Sequence, residues 1–469
     1  MLFNSFSFLL FFPLVCIVYY LIPRSARWIY LLAVSYFFYL NWQPIYGLLL
    51  LATTAATYAG GRLIEQCKNP CGRKWLLAAS CLVPLGLLGF YKYAPFFNRA
   101  AYDLLDRLGI YWPLPEFEWL LPVGISFYTF MAVGYVTDVY RGTVRAERNP
   151  GVYALFIAFF PQVTSGPIGR AGELIPQLRT PPLLRYDNVA EGFRQMLWGY
   201  FLKLCVADRL AIYVAAVFDN LPHHNGSSIL AASLMFTFQI YGDFAGYSLM
   251  AIGAAKIMGI DLRQNFRRPY FSQNIREFWS RWHISLSTWF RDYLYIPLGG
   301  NRVSRPRHMF NLMATFLVSG LWHGANWTFI CWGGVHGAAQ IAENLWKRHI
   351  HKRRFEGPVF KGLRILTTFA TVSLAWIFFR ANTLADAFLA IGKIFTTSGP
   401  LFKDMPVFLM GSLSLALLIG KDTVDEMGWR LHLLHSKYRV VSYLTAIGLI
   451  CYILLFGVLD GGQFIYFQF

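Results

Sequence analysis

The chain has 469 residues, 56% of them hydrophobic, 18% aromatic and only 14% charged, with a mean hydropathy of +0.42. A soluble domain carries roughly 25% charged residues, so this composition excludes one. Repeated apolar runs near the ~20 residues that cross a bilayer indicate an all-α polytopic membrane protein. The formal net charge of +18 does not point to nucleic acid, because the basic residues gather in short loops between apolar runs, as cytoplasmic loops do.

The first run, Phe6 to Ile22, has no basic residue before it and no small-residue cleavage site after it, so it reads as a retained span and not a signal peptide. Further runs are Trp28 to Leu40, Ile45 to Ala59, Trp75 to Tyr91 and Trp119 to Val139, with a mixed-charge stretch up to Glu118 before the last. Basic loops follow the first, third and fifth runs (Arg24 and Arg27; Arg62, Lys68, Arg73 and Lys74; Arg141, Arg145 and Arg148). That alternation places the N-terminus outside and these loops in the cytoplasm. Val152 to Phe160 is apolar but is interrupted by Pro161 and by the run from Thr164 to Gly169. Breaking residues at membrane depth are tolerated inside protein or against a cavity, so a broken or re-entrant helix is expected.

Ala190 to Phe218 is helical in pattern but carries Lys203, Asp208 and Arg209, and Ile229 to Met258 is a long span containing Asp243. Phe310 to Trp332 holds His323, and later spans run Ile365 to Phe379, Val407 to Ile419 and Val441 to Leu459, with a short surface helix at Leu384 to Phe395. The total is about ten to twelve spans in a single integral-membrane domain over 1–469. The seven cysteines lie mostly in or beside apolar segments; Cys67 and Cys71 have no partnering Cys or His nearby, so no metal site is assigned.

The densest polar chemistry lies between Glu277 and His336. Taken as one helix, Phe278 to Tyr293 puts its aromatic residues and His283 on one stripe. Such a helix reads either as an interfacial anchor with a satisfied histidine or as a wall of a substrate cavity. From 263 to 307 there are nine arginines, two acids (Glu277 and Asp292) and no lysine. Positive-inside topology accounts for a basic loop, but arginine is also the residue that grips phosphate in fork geometry. No glycine-rich nucleotide motif is present. Asp243, the only charge of its span before Lys256, is an intramembrane carboxylate that needs a partner, for which an arginine of the following loop is the natural choice. Gly242 and Gly246 form a Gly-x-x-x-Gly pair suited to close helix contact.

His323 follows Trp322 and lies among Gly320, Gly324 and Ala325, where the backbone is thinly covered and a ligand has room to approach. A neutral imidazole there activates a hydroxyl by taking its proton. His336, thirteen residues on, falls about 220° further round a continuous helix and is not expected to be its partner.

The stretches WHISLSTWFRDYLYIPLGG and LWHGANW resemble the membrane-bound O-acyltransferase family, in particular its bacterial alginate and polysaccharide O-acetylation branch. LPVGISFYTF at 121–130, FFPQVTSGPIGR at 159–170, and YGDFAGYSLMAIGAAKIMGI at 241–260 followed by NFRRPY carry the same resemblance, which runs to about residue 380. It implies a ring of tilted helices around a tunnel, with re-entrant and interfacial pieces. It also implies a cytoplasmic acyl thioester such as acetyl-CoA as donor, and a hydroxyl acceptor on the other side. The family's near-invariant histidine corresponds to His323, and its second polar position to His283. Arg267, Arg268, Arg281 and Asp243, with Trp282 and Trp322 beside the histidines, are the candidates for holding the donor. Relatives place an acid where Leu249 stands, so Asp243 is the one carboxylate of its segment here.

The resemblance further suggests a separate extracytoplasmic SGNH-type acetyltransferase as partner and a bacterial cytoplasmic (inner) membrane location. The competing readings are D-alanyl transfer from a carrier protein and a non-enzymatic transporter of lipid-linked sugars.

Overall fold

The computed structural model describes residues 1–41, 43–111, 121–349, 357–429 and 431–459. Among these the secondary structure is helical throughout, and the chain divides into two compact units, Met1–Gly192 with Ala251–Arg263 and Phe193–Met250 with Gln264–Phe469.

The first unit contains α1 (Phe6–Leu21), α2 (Arg27–Leu40), α3 (Gly47–Gln66), α4 (Pro70–Leu88), α5 (Ala94–Arg107), α6 (Ile125–Arg141), α7 (Pro150–Ala158), α8 (Phe160–Val163) and α9 (Ala171–Arg179). Helix α1 starts where the Ser5 side chain accepts a hydrogen bond from the Phe8 amide, an N-cap that satisfies a free donor. Edge-on and tilted phenylalanines fill the core of this unit: Phe3 and Phe8 have ring centres 4.7 Å apart, Phe38 and Phe160 5.6 Å. The fifth expected span begins later than its apolar pattern, because Gly124 at φ +76° starts α6. Trp119 and residues 112–118 at the end of the mixed-charge stretch lie outside the described residues. The mixed-charge stretch after the fourth run begins as helix α5, joined to α4 through a π-helical turn at Gly89–Tyr93. The expected break is present and buried: α7 ends at Ala158, Pro161 lies in the first turn of α8, and the chain leaves helix again after Val163. The Phe160 amide donates to Ser35 Oγ at 3.1 Å, and the Gln162 side chain donates to the Pro167 carbonyl. The freed backbone is thus satisfied inside protein.

The second unit holds most of α10 (Tyr186–Tyr200), then α11 (Asp208–Phe218) and most of α12 (Gly226–Ile257). There follow α13 (Ile275–Arg281), α14 (Ile284–Phe290), α15 (Arg305–His323), α16 (Trp327–His349), α17 (Pro358–Arg380), α18 (Leu384–Thr396), α19 (Met405–Met427) and α20 (Arg439–Phe456). The run expected as a continuous helix over Ala190 to Phe218 is α10 and α11 joined by a π-helical turn at Phe201–Ala207. Helix α18 matches the expected surface helix and is capped by Thr383, whose hydroxyl accepts from the Asp386 amide.

Among the described residues, six helical runs are long and apolar enough to cross a membrane: Pro44–Gln66, Pro70–Arg107, Gly226–Ile257, Pro358–Arg380, Met405–Met427 and Arg439–Phe456. Helices α1, α2 and α6 are apolar but shorter, with 16, 14 and 17 residues, and α15 starts with Arg305 and Arg307. On α20, Val440, Leu444, Leu454 and Leu455 are exposed side by side with few polar residues between them, a surface that only lipid solvates well.

Candidate active site

The site lies wholly in the second unit, where two sequence expectations are corrected. Phe278 to Tyr293 is not one helix. Helix α13 stops at Arg281, Trp282 is extended, and His283 takes a left-handed conformation at φ +42° before α14 begins. Such a conformation costs a non-glycine residue on the order of 1–3 kcal/mol and persists where surrounding contacts over-determine it. Here the Ile284 amide donates to the Asn265 carbonyl and the Arg267 amide to the Arg281 carbonyl, both at 2.9 Å. His283 is thereby bracketed between two backbone rungs.

Likewise, Phe310 to Trp332 is not one span. Helix α15 ends at His323, and α16 starts at Trp327 and packs back along it. The glycines of this stretch serve that hairpin instead of exposing backbone to a ligand. A Cβ on Gly320 would strike the Phe329 carbonyl, one on Gly333 the Phe316 carbonyl, and one on Gly324 the Phe329 ring.

These two breaks bring the histidines together. His283 is 0% exposed, His323 2%, and their ring centres are 6.5 Å apart. Trp322 lies 6.1 Å from His283 and 4.9 Å from His323, and Trp332 lies 4.9 Å from His323 on another side. His336 packs against Trp332 at 5.0 Å and Trp279 at 5.1 Å, so it shares the aromatic cage. The wheel angle from His323 does not apply, because the helix is interrupted between the two residues. Trp282 is buried between Phe266 and Trp376, with ring centres 5.0 Å from each, and acts as packing beneath His283. Burial holds the His283 imidazole well below its ordinary pKa, so the ring is neutral.

The other candidates are placed differently. The Asp243 carboxylate is held by a lysine. It accepts from Lys203 Nζ at 2.6 Å, and the same ammonium lies 2.7 Å from Asp208. The expected arginine partner is therefore a lysine, carried by the π-helical turn. The Gly-x-x-x-Gly pair does mark close contact: a Cβ on Gly242 would lie 3.0 Å from the Leu202 carbonyl, and one on Gly246 2.8 Å from the Gly199 carbonyl. Arg268 and Arg281 both donate to Glu426 of α19, at 2.8 and 2.9 Å, and Arg281 also to Glu277 at 2.7 Å. The side chain of Arg267 is exposed and makes no ion pair among the described residues.

A cavity of about 670 Å³ adjoins the histidine cage, walled by α13 to α16 and the π-helical turn at Arg291–Tyr295. Arg276, Arg291, His308, Asn301, Gln340 and Asn344 supply its polar wall. Trp279, Phe290 and Ser319 form the side towards the cage; Phe290 lies 6.5 Å from Trp322, and Ser319 is one turn before His323. His283 and His323 do not line it themselves. Sequence reasoning counted Arg276 and Arg291 only as members of a basic stretch. Both are exposed residues, and only the folded chain brings them to the same cavity.

Residues 149–382 match the membrane-bound O-acyltransferase family. The chain is 39% identical over 424 residues to the probable alginate O-acetylase of Azotobacter vinelandii, covering 89% of this chain and 83% of that protein. It is 36% identical over 423 residues to the peptidoglycan O-acetyltransferase of Helicobacter pylori, covering 82% of this chain and 78% of the relative. It is 31% identical over 290 residues to the teichoic acid D-alanyltransferase of Streptococcus thermophilus, covering 55% and 68% respectively.

Proposed function

From the premise that this chain belongs to the membrane-bound O-acyltransferase family and is a multi-pass O-acyltransferase, we propose that it moves an acetyl group from a cytoplasmic thioester to an extracytoplasmic hydroxyl. The observation carrying this reading is the pair of buried histidines, 6.5 Å apart, next to a cavity whose wall holds Arg276, Arg291 and His308. The donor is acetyl-CoA. Its phosphates meet the basic wall of the cavity, and its thioester is presented to the cage. Arg276 and Arg291 take the gripping role in this reading, because they line the cavity, whereas Glu426 holds the part-buried Arg268 and Arg281. Arg291 is exposed and its ion pair is to its neighbour Asp292.

His323 takes the proton of the attacking hydroxyl as that oxygen adds to the thioester carbon. Collapse of the tetrahedral adduct breaks the carbon–sulfur bond, and the thiolate leaves with the proton that His323 returns. His283 positions the acceptor. The acceptor is a polysaccharide hydroxyl or the nucleophile of a separate SGNH-type transferase outside the membrane. The protein sits in the bacterial inner membrane with its N-terminus outside, since the basic loops fall after the first, third and fifth runs.

The test incubates purified protein with labelled acetyl-CoA and acceptor glycan, with and without the candidate partner. Label transfer that disappears in His323→Ala supports the reading, and transfer that survives the substitution refutes it. Label moving only from a D-alanyl-loaded carrier protein would establish the alternative donor.

A further inference from the structure

We infer that Asn265 is a positioning residue that fixes the tautomer of His283, with the proton on Nδ1 and the lone pair on Nε2. The use assigned to that lone pair rests on the acyl-transfer reading; the tautomer does not.

Asn265 is 1% exposed and lies on the connection between α12 and α13. The two ends of its amide are distinguished by their partners. The Ser285 backbone N–H lies 3.3 Å from Oδ1, and because an amide N–H can only donate, the atom facing it must be the oxygen. The Ser285 hydroxyl donates to the same oxygen at 2.9 Å. At the other end, Nδ2 donates to Ser248 Oγ on α12 at 3.1 Å. With the oxygen so placed, His283 Nδ1, 3.0 Å from it, must carry a hydrogen.

The same residue's carbonyl accepts from the Ile284 amide, so Asn265 holds both the left-handed backbone and the ring orientation of His283. An amide does this without charge. A carboxylate in its place would draw the imidazole towards the protonated form. The charged and titratable groups on the surrounding elements are His323 on α15, Asp243 on α12 with its partner Lys203, and the Arg268–Arg281–Glu426 cluster of the 265–268 segment, α13 and α19.

One mechanistic consequence follows. A neutral His283 with its lone pair on Nε2 accepts a hydrogen bond at that atom and cannot donate one. It therefore holds a hydroxyl of the acceptor and does not stabilise the oxyanion that forms on the thioester carbonyl.

The direct test is the ¹⁵N spectrum of the full-length protein labelled at histidine, with the His283 signals assigned by their loss in His283→Asn. A protonated Nδ1 beside an unprotonated Nε2 near neutral pH is expected; a protonated Nε2 overturns the inference, whatever the activity. The second test is Asn265→Asp, which keeps the acceptor oxygen and adds a charge. The acid limb of its kcat/KM profile should move to higher pH by about one unit or more. An unmoved profile in an active Asn265→Asp enzyme overturns the use assigned to the Nε2 lone pair, because a merely structural role predicts it. If Asn265→Asp is inactive, its ¹⁵N spectrum decides: an imidazolium at a pH where the parent ring is neutral supports the inference, and an unchanged neutral ring refutes it. Should the parent protein show the expected tautomer but transfer no acyl group, the acyl-transfer reading fails and the tautomer stands.

Discussion

The rings of His283 and His323 lie 6.5 Å apart although neither sits inside a helix: His283 forms a left-handed turn between α13 and α14, and His323 is the last residue of α15. Two helix ends, each rigidly packed, therefore present two imidazoles to one cage of tryptophans. Side chains placed this way hold their geometry through packing on Trp322 and Trp332 and not through flexible loops.

His323→Ala is expected to abolish acyl transfer, a loss of roughly a hundred- to ten-thousand-fold in kcat, since a positioned base contributes about that much. His283→Ala should lower kcat less, because the role proposed for it is to hold the acceptor. Both variants should insert and purify normally, and steady-state rates on well-folded protein check the order of the two losses.

Arg276→Ala and Arg291→Ala are expected to raise the donor KM several-fold with little change in kcat, as loss of uniform binding does. Arg268→Ala should act differently. It removes one of the two guanidinium partners of Glu426, so the melting temperature should fall by an amount reflecting about 1.5–3 kcal/mol for a charged hydrogen bond. Donor titration and thermal unfolding together separate the two classes.

Gly320→Leu is expected to destabilise the α15–α16 hairpin, because its Cβ would meet the Phe329 carbonyl and backbone cannot give way as a side chain does. Overpacking of this kind costs about 1–3 kcal/mol. Gly362→Ala inside α17, where nothing lies within 4 Å of the added carbon, is the control and should not lower stability; the better helix former adds up to about 1 kcal/mol.

Burial holds the His283 ring well below its ordinary pKa, so below about pH 6.5 the unfolded chain takes up a proton there that the folded protein does not. The folded state binds fewer protons, and its stability from this group is complete above that pH and declines as pH falls below it. Melting temperatures in detergent should drop between about pH 7 and pH 5, and His283→Asn should flatten that part of the curve.

Cys71, exposed at the start of α4 beside Arg73 and Lys74, reports on topology. In a protein retaining only this cysteine, an impermeant thiol reagent should label it only after the membrane is opened. Labelling in intact cells would reverse the proposed orientation.

The run of spans and the aromatic character of the site were legible because apolar periodicity and composition are local properties. The buried break after Phe159 was legible for the same reason, since Pro161 and Gly166 announce it in place. The break at His283 was not legible, because no glycine or proline marks it. The left-handed turn exists only because the chain near Asn265, eighteen positions earlier, pairs with it. Helix wheels drawn through an unseen break misplaced His336, which shares the cage of His323.

By itself the sequence determined that this is a helical membrane protein of one acyltransferase family, and its motifs singled out His323 and His283 as the candidates for its chemistry. Solvation in lipid and the family's motifs are both written locally along the chain. Only the tertiary structure decided that Asp243 pairs with Lys203, that Glu426 takes Arg268 and Arg281, and that Arg276 and Arg291 line the cavity. Buried charges and polar groups must find counterparts wherever packing brings them, and the partners of Asp243, Arg281 and Arg268 lie 40, 145 and 158 residues away, on elements whose approach no local pattern encodes.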